Sequence, residues 1–444
     1  MDPIGWDRGT LVVEVADRPD VDPAGLPGVL WDPRTRCWRA PPWRYGALVA
    51  ALGPSALVAA DPRPVHPPEL RPYQHGAVAA WDGSGRRGII VLPTGAGKTR
   101  TAIAAIATAG VPTICLAPTR VLVHQWRRAL LVAGLGPIGQ LADGVRDLQR
   151  VTVATVASAR VHASTVGPRF ALLVADEVHH HAGSDETLEL FPAPLRLGLT
   201  ATPPDDPVAV ARLRDLVGPI VVRVSVDALA GEFLAPYDLV QVPLDLDPDE
   251  SAAYRTEMAA FRTVYRAWWR TTPDRSWAAF NRVAVRSDEG RRALAAWRRA
   301  RERVAWPNAK DRALAGLLAT HHRSRVLVFT RDNSVAYRIA HRHLIAPLTC
   351  DIGKAERARM LERFADGSIG ALVSARVLNE GLDVPDADVA ILTGGSQGER
   401  EYVQRVGRVL RPRPGKRAQV VELVVRDTHE VRLHERNRSR LASG

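Results

Sequence analysis

Ile89-Ile90-Val91-Leu92-Pro93-Thr94-Gly95-Ala96-Gly97-Lys98-Thr99 is the stretch from which the fold of this 444-residue chain can be read. Its apolar opening predicts a buried strand, its Gly-containing middle a tight loop, and the Ala/Ile run at 101–107 a helix. Strand, loop and helix in that order make an anion cradle. Backbone N–H groups of a Gly-rich loop close on phosphate oxygens, and the helix N-terminus adds a partial positive charge. Pro93, Thr94, Gly95, Ala96 and Gly97 are the expected cradle. Lys98 is placed to reach the β- and γ-phosphates of a nucleotide, and the Thr99 hydroxyl to hold Mg²⁺. Leu92 stands where the full G-x-x-x-x-G-K-[ST] pattern has its first glycine.

Outward from this loop, strand-like runs recur at 113–118, 151–155, 171–175, 195–200 and 220–224, with helical stretches between several of them. Such alternation predicts a parallel, doubly wound α/β sheet whose ligands sit at the carboxyl ends of the strands. The polar residues that end these runs are therefore the candidate chemistry. Asp176 and Glu177 form a carboxylate pair: Asp176 suits Mg²⁺ held through water, and Glu177 suits orienting or deprotonating an attacking water. His179-His180-His181 has no acidic or Cys partner at ligand spacing. His179 is read as a link to the next loop rather than as a metal ligand. That loop carries the hydroxyls of Thr200 and Thr202. Arg120 and Thr155 end two further strands and are expected to grip a phosphodiester backbone. Upstream, Leu70-Arg71-Pro72-Tyr73-Gln74 precedes a helix at 75–81. The Gln74 amide can read an adenine edge, and Arg71 is grouped with it at the nucleotide site.

Composition bounds the rest. Hydrophobic content of 46% and charged content of 24% are globular values, and the length predicts two to four domains. A net charge of +12 and a pI of about 10.3 point to a polyanionic partner, most often nucleic acid. Cys37, Cys115 and Cys350 are far apart with no C-x-x-C, which argues against an iron–sulfur or structural zinc site; the last two are expected to be core thiols. No apolar run approaches the ~20 residues of a membrane span, and the N-terminus lacks a signal-peptide layout, so a cytoplasmic protein is expected.

Residues 1–62 read as a small unit with a strand at 10–15, a hairpin at 28–39 and a helix at 45–52. Trp6, Trp31, Trp38 and Trp43 are read mostly as its core rather than as a base-stacking surface, and the Pro-rich run 54–68 as a linker. Residues 247–306 break the strand–helix rhythm. They read as helical, with five tryptophans and 13 arginines against eight acidic residues. Arg262, Arg266 and Arg270 share one helix face and are expected to rest on a nucleic-acid backbone. Strand–helix alternation resumes at 326–330, 370–374, 389–392 and 420–425, without a second phosphate loop. The run RVLNEGLD occupies 376–383 and QRVGRVLR occupies 404–411. Arg408 and Arg411 sit at i, i+3 and can stabilise charge on a transferring phosphoryl group.

The ordered elements PTGAGKT, APTR, DEVH, TAT, RVLNEGLD and QRVGRVLR resemble those of superfamily 2 helicases with two RecA-like domains, over residues 70–426. LRPYQ, the DEVHH form of the acidic loop, the small N-terminal unit and the helical insertion resemble the XPB-type DNA repair helicases more narrowly. The resemblance implies an α/β architecture of a damage-recognition-like α+β domain (1–62) and two tandem RecA-like parallel-sheet domains (63–231 and 232–444). The second of these holds a helical thumb-like insertion at 247–306. It implies ATP and Mg²⁺ as cofactors, single-stranded, forked or duplex DNA as partner, and 3′-to-5′ helicase or translocase activity in repair. It further implies that Thr200 and Thr202 couple hydrolysis to DNA, that Arg408 and Arg411 are arginine fingers, and that Gln404, Gly381 and Asp383 lie by the nucleotide. A separate nuclease partner, a monomeric state and no membrane association complete the expectation. Where XPB-type proteins usually carry Arg-Glu-Asp after the TAT element, this chain reads Pro203-Pro204-Asp205-Asp206. The competing readings are a duplex translocase or RNA helicase of a defence system, or a nucleic-acid-binding scaffold without ATPase activity. The intact Lys98, Asp176, Glu177, Arg408 and Arg411 argue against the last.

Overall fold

A computed structural model describes residues 2–58, 61–375, 387–394 and 417–435. Gly381, Asp383, Gln404, Arg408 and Arg411, together with the tail arginines Arg436, Arg438 and Arg440, lie outside the described residues. The chain divides into two compact units, with the boundary after Leu229.

The first unit opens with a four-stranded antiparallel sheet in the order Ile4–Asp7, Thr10–Val13, Cys37–Ala40, Leu30–Asp32, followed by the helix Tyr45–Leu52. Its core is mostly aliphatic, with one tyrosine: Ile4, Leu11, Val13, Val29, Tyr45, Leu48 and Leu52 are buried. The expectation that tryptophans form this core is corrected. Strands of three or four residues leave no room for indoles, which lie at the rim. Trp31 is 48% exposed and meets Trp38 edge to face at 5.3 Å. Trp6 donates its N–H to the Ser164 carbonyl at 2.8 Å, and Trp43 packs on the core beneath the larger sheet. The small domain is thereby docked through aromatic side chains. The Pro-rich linker is also held: Arg63 and Val65 donate backbone N–H groups to Gly110 and Ala107, at the end of the phosphate-loop helix.

The larger sheet of this unit has eight strands in the order Ile220–Arg223, Arg87–Val91, Leu195–Thr200, Leu172–Ala175, Thr113–Ala117, Val151–Thr155, Ile138–Ala142, Val145–Asp147. All pair in parallel except the last. The central strands are continuous apolar runs, as a sheet covered on both faces requires. Arg196 is the exception. Fully buried, it donates to the carbonyls of Leu188, Phe191, Ala193 and Leu216, and burial pushes its guanidinium down to about 9. It ties the segments before and after the strand Leu195–Thr200 to the sheet.

The second unit is a six-stranded, wholly parallel sheet ordered Tyr237–Leu244, Ala418–Val425, Val389–Leu392, Val326–Phe329, Ala371–Ser374, Ala346–Leu348. Between its edge strand Tyr237–Leu244 and the helix Asn308–Thr320 stand the three helices Pro248–Thr271, Trp277–Ala284 and Asp288–Ala305. Asp247 and Glu250 make a capping box on the first; Ser276 and Ser287 cap the others. Tyr254, Met258, Phe261, Phe280 and Leu294 bury together with Val425 of the sheet. Cys350 is exposed just beyond a three-residue strand, which corrects its reading as a core thiol; Cys115 is buried as expected.

One half-buried histidine of this unit makes acid stability testable. Burial, with Arg301 and then Lys310, Arg331 and His434 adding positive charge, pushes His429 down from 6.5 to about 3. The unfolded chain takes up this proton below pH 6.5 while the fold resists it. Stability is therefore intact above pH 6.5 and is lost as pH falls from there towards 3, at about 1.4 kcal/mol per pH unit for this group. Urea unfolding at pH 7, 6 and 5 should show that slope, and His429→Gln should flatten it. An unchanged slope in the variant would assign the acid sensitivity to other groups.

Candidate nucleotide site and nucleic-acid face

Parallel strands deliver their carboxyl ends to one edge, so residues far apart in sequence converge there. The phosphate loop follows Arg87–Val91, and its helix Lys98–Ala109 begins at Lys98. Gly97 (φ 79°) is left-handed, and a Cβ on it would lie 2.5 Å from the Gln74 amide nitrogen, so the position admits only glycine. The neighbouring strand ends on Thr200, whose carbonyl accepts the Leu92 N–H at 3.0 Å. One strand further on, Asp176 and Glu177 follow Leu172–Ala175.

These residues form a connected polar chain. Lys98 Nζ stands 3.9 Å from Glu177 Oε1, and His179 Nδ1 is 3.4 Å from Glu177 Oε2. His179 Nδ1 shares a hydrogen bond with the Thr200 hydroxyl at 2.9 Å, and that hydroxyl accepts the Thr202 N–H at 3.0 Å. The residue that sequence reasoning treated as a link between the two loops makes that link. Glu177 holds a left-handed backbone (φ 49°), uncommon for a residue with a Cβ. Its buried Oε2 has no hydrogen-bond partner among the described residues. A carboxylate oxygen with free acceptor capacity beside a phosphate loop is what polarising a water requires.

Asp176 is 8% exposed. Its Oδ1 accepts the Glu177 N–H at 3.0 Å and its Oδ2 the Trp126 indole N–H at 2.8 Å. Burial, then the Glu177 charge, pushes this carboxyl up to about 6, against the pull of Trp126 and Lys98. A buried carboxylate whose charge is penalised is one that a bound cation relieves. Asp176 and the Thr99 hydroxyl are hard oxygen donors, and the donor set fits Mg²⁺ carried with nucleotide phosphates. Among the described residues, no three His, Cys, Asp or Glu side chains gather as a separate metal site.

Arg71, Gln74, Gly95 and Gly97 line a cavity of about 350 Å³ beside the loop, with Glu69, Leu70 and Arg100. Gln74 is buried. Its Oε1 accepts the Arg71 N–H at 3.0 Å and its Nε2 donates to the Ala96 carbonyl at 2.9 Å. Each end of the amide keeps one further hydrogen-bonding position. Tyr73, unassigned from the sequence, donates its hydroxyl to the same carbonyl at 2.7 Å. Pro93, Thr94 and Ala96 lie in the loop as read.

The two strand-end residues expected to grip a phosphodiester backbone are engaged locally. Arg120 pairs with Asp143 at 2.9 Å. The Thr155 hydroxyl caps its own helix through the Ser158 N–H and donates to the Ser158 hydroxyl. In the second unit, Arg262, Arg266 and Arg270 face outward on one side of the long helix, and Arg255 joins the same row. Other arginines of the insertion are committed: Arg299 grips Glu257 through two bonds of 2.7 and 2.8 Å, Arg291 pairs with Asp288, and Arg301 lies over Trp297. Trp268 and Trp297 pack against the insertion's core and Trp306 is buried. At its tip Trp269 and Trp277 are 37% and 41% exposed, with the Arg275 guanidinium over Trp269. No helix of the described residues is long and apolar enough to cross a membrane.

Comparison with known proteins adds names to these parts. Residues 4–61 match the Xeroderma pigmentosum group B helicase damage recognition domain, 67–205 the type III restriction enzyme res subunit family, and 309–413 the helicase conserved C-terminal domain. A relative from Sulfurisphaera tokodaii, named DNA 3′-5′ translocase XPB2, is 37% identical over 83% of this chain and 84% of its own length. The DNA 3′-5′ helicase XPB of Kineococcus radiotolerans is 30% identical over 81% of this chain and 60% of its own. The Pyrococcus furiosus Hef helicase domain superposes with a TM-score of 0.53 over 83% of this chain and 98% of its own, at 19% identity, which speaks for the fold alone.

Proposed function

Because this chain belongs to the XPB-like superfamily 2 helicases, we propose that it is an ATP-dependent DNA helicase or translocase, moving 3′ to 5′ and acting in DNA repair. The observation that carries the proposal is the chain of polar contacts Lys98–Glu177–His179–Thr200–Thr202. It runs from the residue that would neutralise phosphate charge to the Thr200 hydroxyl and the Thr202 N–H, on the loop that would respond to DNA. Lys98 and the loop N–H groups bind and orient the nucleotide, Glu177 takes up the proton of the attacking water, and Asp176 with Thr99 would hold Mg²⁺. When bound, that ion neutralises charge developing on the phosphates. His179, bonded to the Thr200 hydroxyl, fixes the orientation of the loop that carries Glu177. Arg408 and Arg411 would act as fingers, and Gln404, Gly381 and Asp383 would serve the nucleotide. A cytoplasmic monomer working with a separate nuclease completes the proposal.

A second reading, translocation along duplex without strand separation, is favoured by one local feature. After TAT, where XPB-type proteins usually carry Arg-Glu-Asp, Asp206 is engaged in capping the helix Pro207–Leu216, its carboxylate accepting the Ala209 N–H at 2.9 Å.

Steady-state ATP hydrolysis with no nucleic acid, single-stranded DNA, forked DNA, intact duplex and RNA tests both readings. Stimulation by single-stranded or forked DNA, with strand displacement, supports the helicase. Stimulation by intact duplex without displacement supports the translocase. Preference for RNA, or no turnover at all, overturns both. In the same series Arg262→Ala/Arg266→Ala/Arg270→Ala should weaken DNA binding about 10- to 100-fold and flatten its salt dependence by about 2–3 in slope, one step per lost phosphate contact. An unchanged salt slope would remove that helix from the DNA path.

A further inference from the structure

A buried indole needs a partner for its N–H, and a backbone carbonyl is the usual one. Trp81, fully buried in the same unit, follows this pattern and donates to the Arg196 carbonyl at 3.0 Å. Trp126, 1% exposed, donates instead to a carboxylate: Asp176 Oδ2, at 2.8 Å. With the Glu177 N–H on Oδ1, each Asp176 oxygen carries one protein donor, which locks the carboxylate plane. One acceptor direction remains on each oxygen.

The place of Trp126 in the chain gives this bond a second meaning. It lies on the helix Arg120–Val132, which starts where the strand Thr113–Ala117 ends and is capped by the Thr119 hydroxyl through the Leu122 N–H. That strand is the immediate neighbour of Leu172–Ala175, and Leu116 accepts the Asp176 N–H at 3.0 Å. The first turn of the helix presents Arg120 and His124 to solvent, both against Asp143, with side chains 68% and 60% exposed. One helix thus carries an ion-paired Arg120 at the strand-end edge and, six residues on, an indole holding Asp176.

We propose that Trp126 is a positioning residue for the nucleotide site. Its N–H sets the Asp176 carboxylate for Mg²⁺, and movement of the helix Arg120–Val132 on nucleic-acid binding is transmitted to Asp176 through it. The second half of this statement rests on the DNA-dependent ATPase reading above; the first half does not. A donor to a metal-holding carboxylate acts by orientation, and its loss should cost about 10- to 100-fold in metal affinity or activity.

The test pairs Trp126→Phe with Trp81→Phe, which removes the same ring atoms and the same kind of N–H from an equally buried site. The primary readout is fluorescent ADP bound to each protein as Mg²⁺ is titrated in. Trp126→Phe should raise the Mg²⁺ concentration needed about tenfold while leaving metal-free nucleotide affinity unchanged, and Trp81→Phe should shift neither. In steady-state hydrolysis, Trp126→Phe should lose most of the stimulation by DNA with KM for ATP within about twofold of wild type. Equal Mg²⁺ shifts in the two variants would make the effect one of packing and overturn the proposal, as would a wild-type titration in Trp126→Phe. If wild type itself shows no stimulation by DNA, the functional reading fails while the Mg²⁺ titration still decides the Trp126–Asp176 bond. Should Trp126→Phe not fold, the 11 indole N–H resonances of the unmodified protein carry the test. Mg²⁺ added to the ADP complex should move one solvent-protected signal, and a spectrum in which none moves refutes the bond's role.

Discussion

Glu177→Gln is expected to lower ATP turnover about a thousandfold while the variant still folds and binds nucleotide, within the range that loss of a general base produces. The substitution keeps the shape of the side chain and removes its charge and basicity. In this site the lost group is a carboxylate whose buried Oε2 has no hydrogen-bond partner among the described residues and whose Oε1 stands 3.9 Å from Lys98 Nζ. Its left-handed backbone, φ 49°, holds the carboxylate at the loop instead of letting it follow the strand outward. The cradle feels that charge through the 3.9 Å approach of Lys98 Nζ, a loose contact that bound phosphates would replace, so binding of fluorescent ADP should stay within a few-fold of wild type. A Gln variant that retained a tenth of wild-type turnover would move the base elsewhere.

The second large effect is on stability. Lys310 and Glu430 are an ion pair with side chains 0% and 2% exposed, Nζ to Oε1 at 2.7 Å. Lys310 also donates to the Val304 carbonyl at 2.8 Å, and Glu430 Oε2 accepts the Val425 N–H at 3.1 Å. The pair therefore fastens the last turn of the insertion's third helix to the end of a central strand. Its fit is tight: a Cβ on Gly394, itself at φ 98°, would lie 2.2 Å from Glu430 Oε1. Lys310→Met leaves a buried carboxylate without its cation and should destabilise the second unit by about 3–5 kcal/mol. Lys310→Met with Glu430→Gln removes both charges while keeping an acceptor for Val425, and should recover more than half of that loss. Urea unfolding of the three proteins measures both numbers. A double variant as unstable as the single one would mean that packing, not the unpaired charge, dominates.

Both predictions concern residues whose partners differ in how far they could be read from the chain. Glu177 was legible because its chemistry follows a short apolar run and repeats a local pattern. Lys310 and Glu430, 120 residues apart, carried no signal beyond an ordinary charged helix and tail. Trp126 likewise read as one aromatic on an amphipathic helix until the sheet order set it 2.8 Å from a carboxylate 50 residues away. The strand Ile138–Ala142 escaped notice because Gly139 and the flanking glycines read as loop. Gly139 is in fact required by close approach, since a Cβ there would meet the Asp147 carbonyl at 2.6 Å. Tyr237–Leu244 was missed because an edge strand lacks the continuous apolar run that marked its neighbours.

By itself the sequence determined that two parallel sheets alternate strand with helix, that the phosphate loop lies at 93–99, that Asp176 and Glu177 end a strand, and that a basic helical insertion interrupts the second half. These depend on residue periodicity, glycine placement and capping, which are local properties of the chain. Only the tertiary structure decided which tryptophans are core and which are rim. It also decided that Arg120 and Thr155 are engaged at home, that His179 reaches Thr200, and that Asp176 answers to Trp126. Those pairings are selected by strand order and register, and a parallel sheet brings together residues that no local pattern connects.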